Sequence, residues 1–160
     1  MIYILTGDIN TGKSTALMKW IKGRPDVFGV LSPRDDKNHR YFLNVKTHEA
    51  FAMETTSKDE DSIIVGPYHF LKTAFKKANS IIEEAAKQQT SGFIIIDELG
   101  KLELKTEGLH KSAVSAINRT KYEAQLHTIL VVRTPLIETI LKHYNITNSQ
   151  RLLIEELSSV

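Results

Sequence analysis

Residues Gly7-Asp8-Ile9-Asn10-Thr11-Gly12-Lys13-Ser14 match the pattern G-x-x-x-x-G-K-[ST] directly after an apolar run, Ile2-Tyr3-Ile4-Leu5. No other feature constrains the fold as much, because the pattern makes chemical sense only where a strand passes into a helix through a phosphate-wrapping loop. Such a loop points successive backbone N–H groups inward, and Gly7 and Gly12 permit the dihedrals and the close approach this needs. Lys13 then offers a cation to the β- and γ-phosphates and the Ser14 hydroxyl a ligand to Mg²⁺, while the following helix contributes its positive dipole end. The flanks agree. Ile2 to Leu5 read as a short buried strand, and Ser14 to Ile21, with Leu17, Met18 and Ile21 on one side, as the start of a helix. Asp8 is the odd member, since an acid repels phosphate unless its side chain points away or caps a local N–H.

Strand and helix signals alternate along the rest of the chain. Gly23-Arg24-Pro25 breaks the first helix, and Val27 to Ser32 read as a second strand ending at Pro33. A polar turn over residues 34–40 leads to a strand at Tyr41 to Val45, and Ala50 to Glu54 return as another. No helical period appears between Val27 and Ile64, so this stretch reads as an antiparallel meander, with Thr55 to Asp61 a charged surface loop. Ile63 to Val65 form a short strand. From about Phe70, the positions Leu71, Ala74, Phe75, Ala78, Ile81, Ile82 and Ala85 keep helical spacing, with Lys76, Lys77, Glu83, Glu84 and Lys87 on the solvated face. Phe93-Ile94-Ile95-Ile96 is a continuous apolar run, as expected of a central parallel strand covered on both faces. A helix over 107–118, a strand over 126–132, a helix over 135–143 and a last strand near 151–155 complete the pattern. Together these predict a three-layer α/β fold with a mostly parallel central sheet and an antiparallel meander extending one edge.

At 160 residues the chain is expected to form one domain, residues 1–160. Hydrophobic residues make up 41% and charged residues 25%, and no stretch approaches the roughly 18 consecutive apolar residues of a membrane span, so no membrane association is expected. The N-terminus lacks the features of an export signal, which makes the cytoplasm the expected location. With no cysteine there is no disulfide, thiolate metal site or cysteine nucleophile. A net charge of +2 without a basic block gives no case for nucleic-acid binding. The histidines lack the i, i+4 spacing of a helical metal pair and read as surface or packing residues.

In a parallel sheet, ligands bind beyond the carboxyl ends of the strands, where both the phosphate loop and Asp97-Glu98 fall. Asp97 can hold Mg²⁺ through its water shell, and Glu98 can orient or deprotonate an attacking water. The sequence continues as Gly100-Lys101-Leu102-Glu103-Leu104, and the stretch IDELGKLEL, together with the N-terminal phosphate loop, resembles the thermophilic and cancer-related nucleoside-triphosphatase family over most of the chain. The strand FGVLSPR followed by YFLNV is similar to that family's meander.

The resemblance implies a RecA-like P-loop enzyme that removes the γ-phosphate from ATP, GTP and other nucleoside triphosphates with Mg²⁺ as cofactor and little base selectivity. Carried over residue by residue, Gly7, Asp8, Ile9, Asn10, Thr11, Gly12, Lys13, Ser14 and Thr15 are nucleotide contacts, with Ser14 and Asp97 on the metal side. Lys13 and Glu98 are then catalytic, Glu98 as the base, and Gly100 and Lys101 begin a second nucleotide-contact segment. The family's loop is usually richer in Gly and Pro than Asp8-Ile9-Asn10, a departure that would go with an altered rate or substrate.

Arg133 follows the strand over 126–132 and is expected on the same ligand edge, where a guanidinium can stabilise charge on the transferring phosphoryl group. Two other functions share the phosphate loop. A small-molecule or nucleotide kinase would pass the phosphoryl group to an acceptor, against which the arginines here are few and dispersed in sequence. A slow nucleotide-binding regulatory module would act through a protein partner of unknown identity.

Overall fold

The computed structural model describes residues 1–8, 11–56 and 61–160. Ile9 and Asn10 of the phosphate loop, and residues 57–60 in the middle of the charged loop, lie outside the described residues. Strand β1 (Ile2–Gly7) leads into helix α1 (Lys13–Trp20), and β2 (Val27–Leu31) is followed by two short strands, β3 (Tyr41–Asn44) and β4 (Ala50–Ala52). Next come β5 (Ser62–Val65), β6 (Tyr68–Leu71), α2 (Lys72–Gln88) and β7 (Ser91–Leu99). The C-terminal part comprises α3 (Lys101–Leu104), α4 (His110–Tyr122), β8 (Gln125–Arg133), α5 (Ile137–His143) and β9 (Gln150–Leu152), ending in a 3₁₀ turn at Ile154–Ser159.

Seven strands form the main sheet in the order β4-β3-β2-β7-β8-β1-β9. From β2 to β9 every neighbouring pair is parallel, while β3 and β4 continue the β2 edge antiparallel. The expected α/β fold with its meander extension is therefore present. The alternation of side chains along a strand explains why the central strands are apolar throughout. Ile94, Ile96, Leu130 and Val132 face a core closed by α2, α4 and α5, whereas Phe93, Ile95, Ile129 and Val131 face a second core closed by α1 and the C-terminal turn. Every one of these side chains is buried.

Several boundaries differ from the sequence pattern for identifiable reasons. Phe70 and Leu71 keep the phase of α2 but belong to β6, which pairs with β5 as a separate two-stranded hairpin. Position Phe70 satisfies both periods, because its ring packs on Phe75 at 5.9 Å between centroids. The helix expected over 107–118 is α4, and a short α3 precedes it. Ile154 and Glu155, expected in the last strand, lie in the 3₁₀ turn. Strand β7 is longer than its apolar run and carries Asp97 and Glu98 within it. Among the described residues no helix is long and apolar enough to cross a membrane.

Candidate functional site

Gly12 ends the phosphate loop at φ 82°, a left-handed conformation that glycine adopts without the steric cost of a Cβ. That turn starts α1 at Lys13 and places Ser14 in its first turn, where the Ser14 hydroxyl donates to Asp97 Oδ2 at 2.7 Å. The same carboxylate oxygen accepts the Ser32 N–H at 3.0 Å from the end of β2. Asp97 is 1% exposed, and burial raises its pKa against the opposing effect of these two donors. Two segments 83 positions apart thus share one buried carboxylate.

Lys13 is buried as well. Its ammonium donates to the carbonyls of Gly7 at 3.0 Å and Asp8 at 2.6 Å, and to Thr11 Oγ1 at 3.2 Å. Asp8 itself is exposed and takes part through its carbonyl, which also accepts the Thr11 hydroxyl.

Beyond Asp97 the pairing of β7 with β8 shifts register, Asp97 lying opposite Val131 and Leu99 opposite Val132. Glu98 is the extra residue of this bulge, a device that re-aims a side chain while the strand keeps its core register. Leu99 accordingly returns to the core that holds Ile96 and Val132. The Asp97–Glu98 peptide is cis. Glu98 accepts an ion pair from Arg133 Nε at 2.7 Å, with the carboxylate side chain 17% and the guanidinium side chain 34% exposed. Arg133 closes β8 directly opposite Gly7 of β1, on the strand that lies between the phosphate loop and the acids.

Gly100 and Lys101 follow at the start of α3. The Glu103 carboxylate, 3% exposed, accepts the Gly100 N–H at 2.8 Å and the Leu109 N–H at 2.9 Å. Burial raises its pKa while the two N–H donors lower it. Glu103 thereby pins the segment that presents Lys101, an exposed cation on the same edge as Glu98.

A family model described as NTPase matches residues 2–157. The chain belongs to this NTPase family. It is also similar in fold to THEP1 from the hyperthermophile Aquifex aeolicus, with a TM-score of 0.73 and 18% identity over 99% of this chain and 96% of that one. No curated protein matches it.

Within this NTPase scaffold, Gly7, Gly12, Lys13, Ser14, Asp97, Glu98, Gly100, Lys101 and Arg133 all belong to one edge of the sheet. Thr11 and Thr15 line a cleft of about 560 Å³ on the far side of the loop, with Lys19, Trp20, Ile154 and Leu157. Two contributors were not legible in sequence. Ser32 acts through its backbone N–H, which leaves no residue signature, and Glu103 acts as an internal anchor although its setting resembles an ordinary helix-start acid. Among the described residues no group of three or more His, Asp or Glu side chains could hold a metal by itself.

The donor set fits Mg²⁺ bound together with a triphosphate. Ser14 and Asp97 are hard oxygen donors in contact, and a buried carboxylate with only two N–H or O–H donors gains from an adjacent cation. Mg²⁺ favours one or two protein oxygens plus phosphates and retained waters over an all-protein cage.

Proposed function

We propose that this chain hydrolyses nucleoside triphosphates, ATP and GTP among them, to diphosphate and phosphate with Mg²⁺. The observation that carries the reading is the 2.7 Å hydrogen bond that joins Ser14 of the phosphate loop to Asp97, with Glu98 as the next residue. The backbone N–H groups of the loop and the N-terminus of α1 take the phosphates, and Lys13 exchanges the Gly7 and Asp8 carbonyls for β/γ-phosphate oxygens. Ser14 and Asp97 hold the Mg²⁺, which when bound neutralises charge on the β- and γ-phosphates. Glu98 orients the attacking water and takes its proton. Arg133, ion-paired to Glu98, is a positioning residue that fixes the carboxylate beside the γ-phosphate.

The nucleoside end lies in the Thr15–Trp20 cleft. Its lining sets Trp20, which can stack on any base, among Ala16, Ile154, Thr15, Lys19 and Glu155, and stacking as the main contact supports low base selectivity. Trp20 is the only tryptophan, so its fluorescence reports occupancy of this cleft.

The test is phosphate release from ATP and GTP with Mg²⁺. Lys13→Ala and Glu98→Gln should each lower turnover by about 100-fold or more. Glu98→Gln should still change Trp20 fluorescence on adding nucleotide, whereas Lys13→Ala should not at the same concentration. Glu98→Gln turning over at the parental rate would remove Glu98 from the reaction.

A further inference from the structure

A cavity of about 650 Å³, lined by Glu98 but by no residue of the phosphate loop, opens between the sheet edge, α3 and the β5–β6 hairpin. Asp97, Glu98 and Arg133 form its floor. Hydrolysis needs room there for one water, whose share of liquid volume is about 30 Å³. The volume instead falls in the range of small-molecule sites, roughly 300–1,000 Å³.

The lining is of two kinds. One wall is apolar and aromatic, formed by Phe42, Met53, Tyr68 and Phe70, with the Tyr68 and Phe70 rings stacked at 5.8 Å and 7°. The charged part of the lining carries Arg34, Arg40, Lys101 and Lys105. Arg34 is partly engaged, donating to the Asn38 carbonyl at 2.8 Å and lying 5.7 Å from the Tyr68 ring centre. The side chains of Lys101 and Lys105 make no hydrogen bond or ion pair with any described residue, and half-buried Arg40 makes none either, although its charge acts on the Asp97 carboxylate, opposing the rise in pKa that burial causes.

Among the described residues, the cavity's carboxylates do not balance these cations. Asp97 is held by Ser14 and Ser32 with the Arg40 charge nearby, Glu98 by Arg133, and Glu103 by two backbone N–H groups, which leaves Glu107 among the described lining carboxylates. The site therefore attracts an anion, while its aromatic lining suits a planar ring. Arginines that are dispersed in the sequence converge here in space.

The hairpin adds a cover. Its tip, from Ile64 to Tyr68, lines the cavity, yet Ile64 is 67% and Tyr68 37% exposed. Apolar side chains left in water at the mouth of a charged cavity are what a ring-bearing ligand would bury.

We propose that this cavity binds a nucleoside monophosphate, its base against Tyr68 and Phe70 and its phosphate among Arg40, Arg34 and Lys105, and that a ribose hydroxyl replaces the attacking water. The inference rests on the roles given above to the phosphate loop and Glu98. Glu98 takes the hydroxyl proton and the hydroxyl oxygen bonds to the γ-phosphorus. The bond from that phosphorus to the β–γ bridging oxygen breaks, and its electron pair leaves with the nucleoside diphosphate. The products are the diphosphate, the acceptor as a phosphate ester, and a proton.

The test incubates the full chain with γ-³²P-labelled ATP and Mg²⁺, alone and with AMP, GMP, CMP or UMP, and separates labelled free phosphate from labelled ester. At least one monophosphate should carry label, at the expense of free phosphate. Arg40→Ala and Tyr68→Ala should each weaken its apparent affinity, by about tenfold or more for the arginine, the loss expected for one charge-assisted contact. Phosphate release without an acceptor should stay within about twofold of the parent in Tyr68→Ala. Label found only as free phosphate with all four monophosphates, and no heat when each is titrated into the chain with a non-hydrolysable ATP analogue bound, overturns the proposal while leaving the hydrolase reading intact. Label in an ester without phosphate release in the absence of acceptor supports the proposal and refutes the hydrolase reading, so the two fail separately.

Discussion

On the proposed mechanism the Glu98–Arg133 ion pair makes the two residues one functional unit, and a double-mutant cycle measures that directly. Glu98→Gln removes the proton acceptor, and loss of a positioned general base costs about 10²- to 10⁴-fold in turnover, or roughly 3–5 kcal/mol on the barrier. Arg133→Ala leaves the carboxylate in place but frees it to rotate. The pair is 2.7 Å long and its carboxylate is 17% exposed, so its hydrogen bond belongs to the charge-assisted class worth about 1.5–3 kcal/mol. Turnover should therefore fall by about 10- to 100-fold in Arg133→Ala. If Arg133 acts only through Glu98, the double variant is no slower than Glu98→Gln, and the cycle returns a coupling energy of about 1.5–3 kcal/mol. An arginine that instead touches the transferring phosphoryl group costs its own 10²- to 10³-fold, and the two losses multiply. The assay is steady-state phosphate release from ATP with Mg²⁺, with Trp20 fluorescence giving nucleotide affinity separately. Arg133→Ala should change kcat far more than affinity, and Arg133→Lys should recover part of the loss. Multiplicative losses, with coupling near zero, would refute the positioning role and restore the direct contact with phosphate.

Two further outcomes follow from buried groups away from the reacting atoms. Glu103→Ala removes the acceptor of two N–H groups at 2.8 and 2.9 Å. At about 1.5–3 kcal/mol each, the thermal midpoint should drop by roughly 6–20 °C in scanning calorimetry, and an unchanged midpoint would show that the anchor is dispensable. His110 contacts the Tyr144 hydroxyl at 3.1 Å and His143 at 3.3 Å, and burial, followed by His143, lowers its pKa from 6.5. The unfolded chain then binds the proton more readily, so stability is retained above pH 6.5 and lost as pH falls below it. Urea midpoints should decline from pH 7 to pH 5, less steeply in His110→Gln, and parallel slopes would exclude His110 as the cause.

What was legible in the sequence is local and what was not is convergent. The phosphate loop and the Asp97-Glu98 pair are contiguous patterns whose spacing is their chemistry, so they could be read before any fold was known. The alternation of faces was equally readable, because Phe93 to Ile96 is apolar at both phases only if both faces are covered. Phe70 and Leu71 were misassigned because a helical period and a strand period agree over two residues, and only the β5 partner separates them. The pairing of His110 with His143, the backbone donor Ser32 and the meeting of the turn that holds Arg34 and Arg40 with the segment that holds Lys101 and Lys105 join parts far apart in the chain, where no spacing rule applies.

The strand order explains why Arg133 belongs in the site. Strand β8 is inserted between β1, which carries the phosphate loop, and β7, which carries the acids. At about 4.8 Å per strand, the two are roughly 10 Å apart in the sheet, too far for their strand-end side chains to meet directly. Helix α1 crosses that gap from above and brings Ser14 to Asp97, while β8 fills it from within and ends, in register with Gly7, at Arg133. The residue at the end of the inserted strand thus has its backbone beside the loop and its side chain on the bulged Glu98. A neutral residue there would leave a partly buried carboxylate without its cation, which is why the Arg133→Lys rescue discriminates between a need for charge alone and a need for the directional Nε–H bond.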